Sequence, residues 1–205
     1  VIGFYDKSNI GDESYKISFS KIFPGNTFIF SNEPIKNADA YILGGGDILN
    51  KKILETFSDI EKPKHIMSVS VSEDFDKSLF YGFRNIIVRD KESKRKLDKT
   101  GIECMVYPDF GFSIDYNKTQ GENLISHYFN QDNRDIYEKK VAVIINSHIM
   151  PFHNSMASNY TKFEKFTFDL ASVIDDISAS FIFVPFGCGQ PHDDRISNSI
   201  IASRC

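Results

Sequence analysis

The sequence predicts an α/β protein built on a doubly wound parallel sheet. Short apolar runs of strand length alternate with amphipathic stretches of helical length, and Gly, Pro, Asp or Asn stands at nearly every junction. Strands separated by helices of ~10–15 residues indicate parallel pairing with helices on both faces. The 205 residues fit one or two domains.

Taken in order, "VIGFYD" (1–6) reads as a buried strand. "ESYKISFSKIF" (13–23) sets Ile17, Phe19 and Phe23 at roughly helical spacing, and Pro24-Gly25 stops it. "TFIFS" (27–31) is a second strand and "DAYILGGG" (39–46) a third, ending on three glycines. "DILNKKILETFSDI" (47–60) places Ile48, Ile53, Leu54 and Phe57 on one helical stripe, with Asp47 as its N-cap. "HIMSVSV" (65–71) is a strand, "DFDKSLFYGF" (74–83) a short helix and "NIIVRD" (85–90) a strand. "KESKRKLDKTG" (91–101) is a polar helix closed by Gly101, and "IECMVYPD" (102–109) is the last strand of this half.

These elements make residues 1–116 a Rossmann-like domain. Residues 117–139 are polar, show no strand, and read as a linker holding about one helical turn. The pattern then restarts with strand "VAVIIN" (141–146), helix "KFEKFTFDLASVIDDI" (162–177), strand "SFIFVPF" (180–186) and helix start "DDRISNSIIAS" (193–203). Residues 140–205 are thus the start of a second Rossmann-like domain, incomplete as it stands. The chain has no initiator Met and stops inside a helix-like run, so both ends are expected to be trimmed.

Composition narrows the function classes. Charged residues are 25% and hydrophobic ones 41%, as in a soluble globular protein. A net charge of −4 argues against a general nucleic-acid binder, which needs a basic surface for phosphates. Cys104, Cys188 and Cys205 are too few and too scattered for a disulfide framework or a zinc knuckle, and Cys104 and Cys188 read as buried free thiols. No run approaches the ~18 apolar residues of a membrane span. "VIGFYD" lacks the basic segment and apolar core of a signal peptide.

Open α/β sheets bind ligands outside the carboxyl ends of their strands, so the residues that follow each strand are the candidates. They are Asn9, Gly11 and Asp12; Gly44, Gly45, Gly46 and Asp47; Ser70 and Ser72; Arg89 and Asp90; and Pro108 and Asp109. In the second half they are Asn146, Ser147, His148 and His153, then Gly187, Gly189, Gln190, His192 and Asp193. Asp12, Asp47 and Asp90 also suit helix caps. Gly44–Gly46 is not a GxGxxG fingerprint and no GxxxxGK[ST] occurs, but a triple Gly after a strand means that backbone or ligand must approach closely. His148, His153 and His192 are proton-transfer candidates because imidazole titrates near neutrality.

Taken together, "NIGDES", "YILGGGDIL" and "IIVRDKESKRKLDKTGIECMVYPDFGFSI" resemble the polysaccharide pyruvyl transferases. That family shows, in this order, an N-x-GD turn, a strand ending in GGG, an R-D-x-x-S-x-x-x-L helix start and a D-P-like strand end. Arg89, Asp90, Ser93 and Leu97 fit the third motif, while "YPDF" has Pro and Asp reversed from the commoner order. "FVPFGCGQPHDD" and "IIASRC" are similar to second-domain segments of the family. Ser203 and Arg204 match the start of its S-R-L-H motif, and Cys205 stands where Leu is usual. The resemblance covers residues 1–115 well and 141–205 loosely.

The resemblance implies a glycosyltransferase-B-like fold with the active site in the interdomain cleft. It implies transfer of a pyruvyl group from phosphoenolpyruvate to two sugar hydroxyls, giving a cyclic ketal and phosphate. No metal or other cofactor is implied, and the partners would be the donor and a glycan or lipid-linked sugar acceptor, in the cytoplasm. On this view Asn9, Gly11, Asp12, Gly44, Gly45, Gly46, Arg89, Asp193 and Arg204 bind substrate; His148, His153 and His192, singled out by loop position and chemistry rather than by the resemblance, are the catalytic residues. The donor would lie on Arg204 and on a helix N-terminus, after Gly46 or after Gly189-Gln190. A nucleotide-sugar glycosyltransferase of the same fold and a non-catalytic carbohydrate-binding domain are the alternatives.

Overall fold

The computed structural model describes residues 1–130, 139–145, 156–189 and 192–205. The chain divides into two compact units, residues 1–6 with 10–114 and residues 7–9 with 115–205.

The first unit is α/β. Its sheet has four parallel strands in the order β1 (Tyr41–Leu43), β2 (Lys64–Val69), β3 (Phe83–Val88) and β4 (Met105–Val106). Beside β1, Ile2 forms single parallel bridges to Leu43 and to Ser31. The chain therefore runs outward from Ile2 to Ser31 and then crosses back to β1, which puts the reversal of strand order between Ile2 and β1. Such a switch point opens a crevice at the carboxyl ends of the two flanking strands.

Side chains of a strand alternate between faces, and this sheet uses both. Ile42, Met67 and Ile87 point to one face, where α1 (Ile10–Ile22) lays Tyr15 and Phe19 on them. Rings thicken this layer: Phe19 meets Phe110 edge-on at 5.5 Å and Tyr5 meets Phe30 at 5.0 Å. Leu43, Ile66, Ile86 and Val88 point to the other face, covered by Leu54 of α2 (Lys51–Glu55), Phe57, and Leu97 of α3 (Lys91–Lys99). Asp90 caps α3 by accepting from Ser93 N at 2.7 Å. Gly101, with φ of 73°, closes it.

Several elements differ from the sequence reading. The runs 1–6 and 27–31 shrink to the single bridges at Ile2 and Ser31, and Asp6 and Ser8 turn the chain with positive φ just past the first of them. The helix expected over 47–60 is the five-residue α2, capped by Asn50 rather than Asp47; Asn50 Oδ1 accepts from Ile53 N at 3.0 Å. Its stripe still faces the core, since Ile48 and Ile53 pack beside Leu54 and Phe57. Ile17 is exposed, because two residues along a helix turn about 200° and Phe19 takes the inward face. The short helix at 74–83 is a single 3-10 turn, Lys77–Phe80.

The second unit opens with α4 (Lys118–Asn130), a helix of 13 residues in a stretch expected to be a linker with one turn. Asn117 starts it by accepting from Gln120 N at 2.9 Å. The first half of this helix, residues 118–123, holds no apolar side chain, and Leu124 is more than half exposed, so little in its opening turns marks it as a helix. β5 (Lys140–Val143) pairs in parallel with β6 (Ser180–Phe183). α5 (Met156–Asp175) and α6 (Asp194–Ala202) supply Ile174 and Ile201 to a small core with Ile145. β7 (Cys188–Gly189) and β8 (His192–Asp193) form a short antiparallel ladder before α6. All three cysteines are free, and Cys104 and Cys188 are half-buried rather than buried. Among the described residues no helix is long and apolar enough to cross a membrane.

Candidate functional site

Parallel strands deliver their carboxyl ends to one edge. In the first unit that edge receives Gly44–Gly46 after β1, Ser70 after β2, Arg89 and Asp90 after β3, and Asp109 beyond β4. Asp12 joins from the first turn of α1.

The glycines are required by space. A Cβ on Gly44 would lie 1.9 Å from the Met67 carbonyl oxygen, and one on Gly45 would lie 2.1 Å from the Tyr15 ring. At Gly46, with φ of +89°, a Cβ would sit 3.1 Å from Asp12 Oδ1. The loop is thus threaded between β2 and α1, with the Asp12 carboxyl against its end. Gly46 extends the β1–β2 pairing through a bridge to Val69.

Arg89 is the cation of this edge. Its Nη1 donates to Asp109 Oδ2 at 2.9 Å and its Nε donates to Ser70 Oγ. The Tyr15 hydroxyl donates to the same Asp109 oxygen at 2.7 Å. Asp109 Oδ1 accepts from Gly111 N at 2.8 Å, which caps the 3-10 turn Phe110–Ser113. Ser68, buried and held at φ of 59°, accepts from Phe110 N at 3.0 Å and so ties this turn to β2. Ser70 Oγ donates to Asp90 Oδ2 at 3.2 Å, and Ser93 Oγ donates to that oxygen at 2.7 Å.

Electrostatics follow burial. Burial, helped by Glu13 and opposed by Arg89, pushes the Asp12 carboxyl up from 3.8 to about 6. Burial also pushes Tyr15 up to about 12, and Tyr5, with Asp12 near it, still higher. Burial works against the charge of Arg89, but Asp109 and Tyr15 outweigh it and raise its pKa. Burial likewise opposes the charge on Asp90, and the Ser93 and Ser70 hydrogen bonds with Arg89 more than reverse it, so its pKa is lowered.

The raised pKa of Asp12 makes a testable stability signature. Between 3.8 and about 6 the folded chain binds a proton that the unfolded chain does not, so stability falls as pH rises through this window and stays lower above it. The full cost is roughly 3 kcal/mol at neutral pH. Asp12→Asn removes it. Thermal melts are expected to show a stabilised variant at pH 8, with the gain fading toward pH 4; an equal gain at both pH values would refute the assignment.

The sequence candidates distribute as follows. Gly11, Asp12, Gly44, Gly45, Gly46 and Arg89 belong to the first unit. Ser14 Oγ donates to the Gly11 carbonyl at 2.6 Å within α1. Asn9 belongs to the second unit, where it bridges Gly187. Asp193 caps α6 and is gripped by Arg195, with Nη2 2.6 Å from Oδ2. Asp194 accepts from Gly187 N at 2.7 Å and Phe186 N at 3.1 Å, so the start of α6 already carries two carboxylates. The expected helix start directly after Gly46 is absent, since α2 begins at Lys51. The Arg204 guanidinium lies over the Phe168 ring at 3.9 Å, and its Nη1 is buried without a hydrogen bond. His192 lies in β8, and His148 and His153 fall outside the described residues.

Tyr5, Tyr15 and Ser68 were not singled out from the sequence. Tyr15 and Ser68 lie inside regular elements, where an apolar-stripe or strand reading hides them, although Ser68 and Ser70 in "MSVSV" hint at a polar lining.

No curated protein and no solved structure matches the chain significantly. The family model for polysaccharide pyruvyl transferase matches residues 2–191, nearly the whole of the 205 residues, and the chain belongs to that family.

Proposed function

We propose that the protein transfers the pyruvyl group of phosphoenolpyruvate to two hydroxyls of a glycan or lipid-linked sugar, forming a pyruvate ketal and releasing phosphate. A glycosyltransferase-B-like fold is part of this reading. The observation that supports it best is the Arg89 guanidinium at the sheet edge, fixed by Ser70 at Nε and by Asp109 at Nη1, with its side chain still 30% exposed. A donor that carries a carboxylate and a phosphate needs such a fixed cation.

The proton balance defines the other roles. Two sugar hydroxyls lose protons; one proton is taken up at C3 of the donor, turning its methylene into a methyl group, and the other leaves with phosphate. The C2–O bond to phosphate breaks as two C2–O bonds to the sugar form. Asp12, buried and titrating near neutrality, is a candidate to hold one of these protons. His148, His153 and His192 are the candidates from the second unit. Arg204, the match to the family's Ser-Arg segment, is a second candidate cation for the donor.

The test is phosphate release from phosphoenolpyruvate with and without a galactoside acceptor. The expected result is release that depends on the acceptor and matches ketal formation one for one. Absence of release with a panel of glycan acceptors, or release that ignores the acceptor, would overturn the reading.

A further inference from the structure

We propose that Asp109 and Tyr15 are positioning residues that aim the Arg89 guanidinium at the donor anion. The inference rests on the phosphoenolpyruvate reading above and names the residues that make its cation site work.

An arginine side chain has several rotatable bonds and loses entropy when it is fixed, so an arginine that binds an anion well is held in place beforehand. Arg89 is held at two nitrogens. Ser70 Oγ takes Nε, and Asp109 Oδ2 takes Nη1 at 2.9 Å. Neither anchor is loose. Asp109 is itself fixed through Oδ1 by Gly111 N at 2.8 Å, and Ser70 by Asp90 Oδ2 at 3.2 Å. These bonds occupy Nε and one N–H of Nη1 and so fix the plane of the guanidinium. The Arg89 side chain stays 30% exposed, so it reaches solvent from this fixed base.

Tyr15 acts one step behind. Its ring is buried and packed against the place where a Gly45 Cβ would be, so its hydroxyl has little freedom. That hydroxyl donates at 2.7 Å to the Asp109 oxygen that also takes Arg89. It therefore fixes the carboxylate and shares its negative charge, which leaves more of the guanidinium's charge for an incoming anion. The four side chains come from α1, the end of β2, the end of β3 and the turn after β4, and only the parallel sheet brings them together.

The experiment is steady-state kinetics on Asp109→Ala, Tyr15→Phe, Arg89→Ala and their pairs, with phosphoenolpyruvate varied at saturating acceptor and then the reverse. Asp109→Ala is expected to lower kcat/KM for the donor by about tenfold or more, and Tyr15→Phe by a few-fold, with the acceptor KM moved less than about twofold. Tyr15→Phe should add nothing in the Asp109→Ala background, and Asp109→Ala nothing in the Arg89→Ala background, because each acts through the next. Donor and acceptor constants that fall together, or effects that add in full, would assign both residues to general stability and overturn the proposal. Wild-type donor kinetics in Tyr15→Phe and Asp109→Ala, with Arg89→Ala impaired, would overturn the positioning role alone. A wild-type protein that releases no phosphate would instead overturn the functional reading beneath it. Should Asp109→Ala fail to fold, Tyr15→Phe decides by itself, since it removes one hydroxyl and keeps the ring.

Discussion

Arg89→Lys is expected to lower kcat/KM for the phosphoenolpyruvate donor by roughly a hundredfold, or about 3 kcal/mol of transition-state binding. Lysine keeps the charge but not the fork. Arg89 satisfies Ser70 and Asp109 at once through two nitrogens of one planar group. A lysine ammonium is a single point that must choose between Asp109 and the donor, and it cannot reach Ser70 at the same time. Asp109 is the fixed partner, so the ammonium settles there and the donor loses its contact. Melting temperatures should change little, because the ion pair with Asp109 survives. Donor titrations at saturating acceptor check this; an unchanged donor constant would remove Arg89 from the donor site and leave its ion pair a structural feature.

Gly44→Ala is expected to have the largest effect on stability. The new methyl would lie 1.9 Å from the carbonyl oxygen of Met67 and 3.0 Å from its carbon. These are backbone atoms of β2, which pairs with both β1 and β3, so they cannot turn aside as a side chain would. Relief requires β1 and β2 to part, and with them the bond from Gly46 N to Ser68 O. A cost of about 4 kcal/mol or more follows, which for a chain of this size lowers the melting temperature by roughly 10 °C. Gly45→Ala makes a useful contrast. Its methyl meets the Tyr15 ring, a side chain that can move if its hydroxyl leaves Asp109. It should therefore cost less stability and more donor kinetics than Gly44→Ala. Thermal melts and donor titrations on the pair distinguish the two; equal stability losses would mean that β2 yields more readily than its pairing implies.

Much of the first unit was legible in the sequence because it is written locally. Strand alternation sends Ile42, Met67 and Ile87 to one face and Leu43, Ile66 and Val88 to the other. The Asp90–Ser93 cap and the closing Gly101 are readable from residue type and spacing alone. The stripe of Ile48, Ile53, Leu54 and Phe57 was visible for the same reason, while the start of its helix was not, because Asp47 and Asn50 are equally good caps on paper. The ordered motifs around Gly11-Asp12, Gly44–Gly46 and Arg89-Asp90 were enough to point to the family that the chain belongs to.

The tertiary structure alone decided which of these residues work together. Tyr15 and Asp109 lie 94 residues apart in the chain, and Arg89 and Asp109 lie 20 apart, yet they share one carboxylate oxygen. No spacing rule reaches across that distance; parallel strands do, because each returns its carboxyl end to the same edge. The raised pKa of Asp12 is also a tertiary property, since the sequence offers an ordinary helix-start acid and only burial makes it expensive to ionise. The helix α4 shows the converse. Its first residues, 118–123, hold no apolar side chain and carry no periodic signal, so only the Asn117 cap marks where it begins.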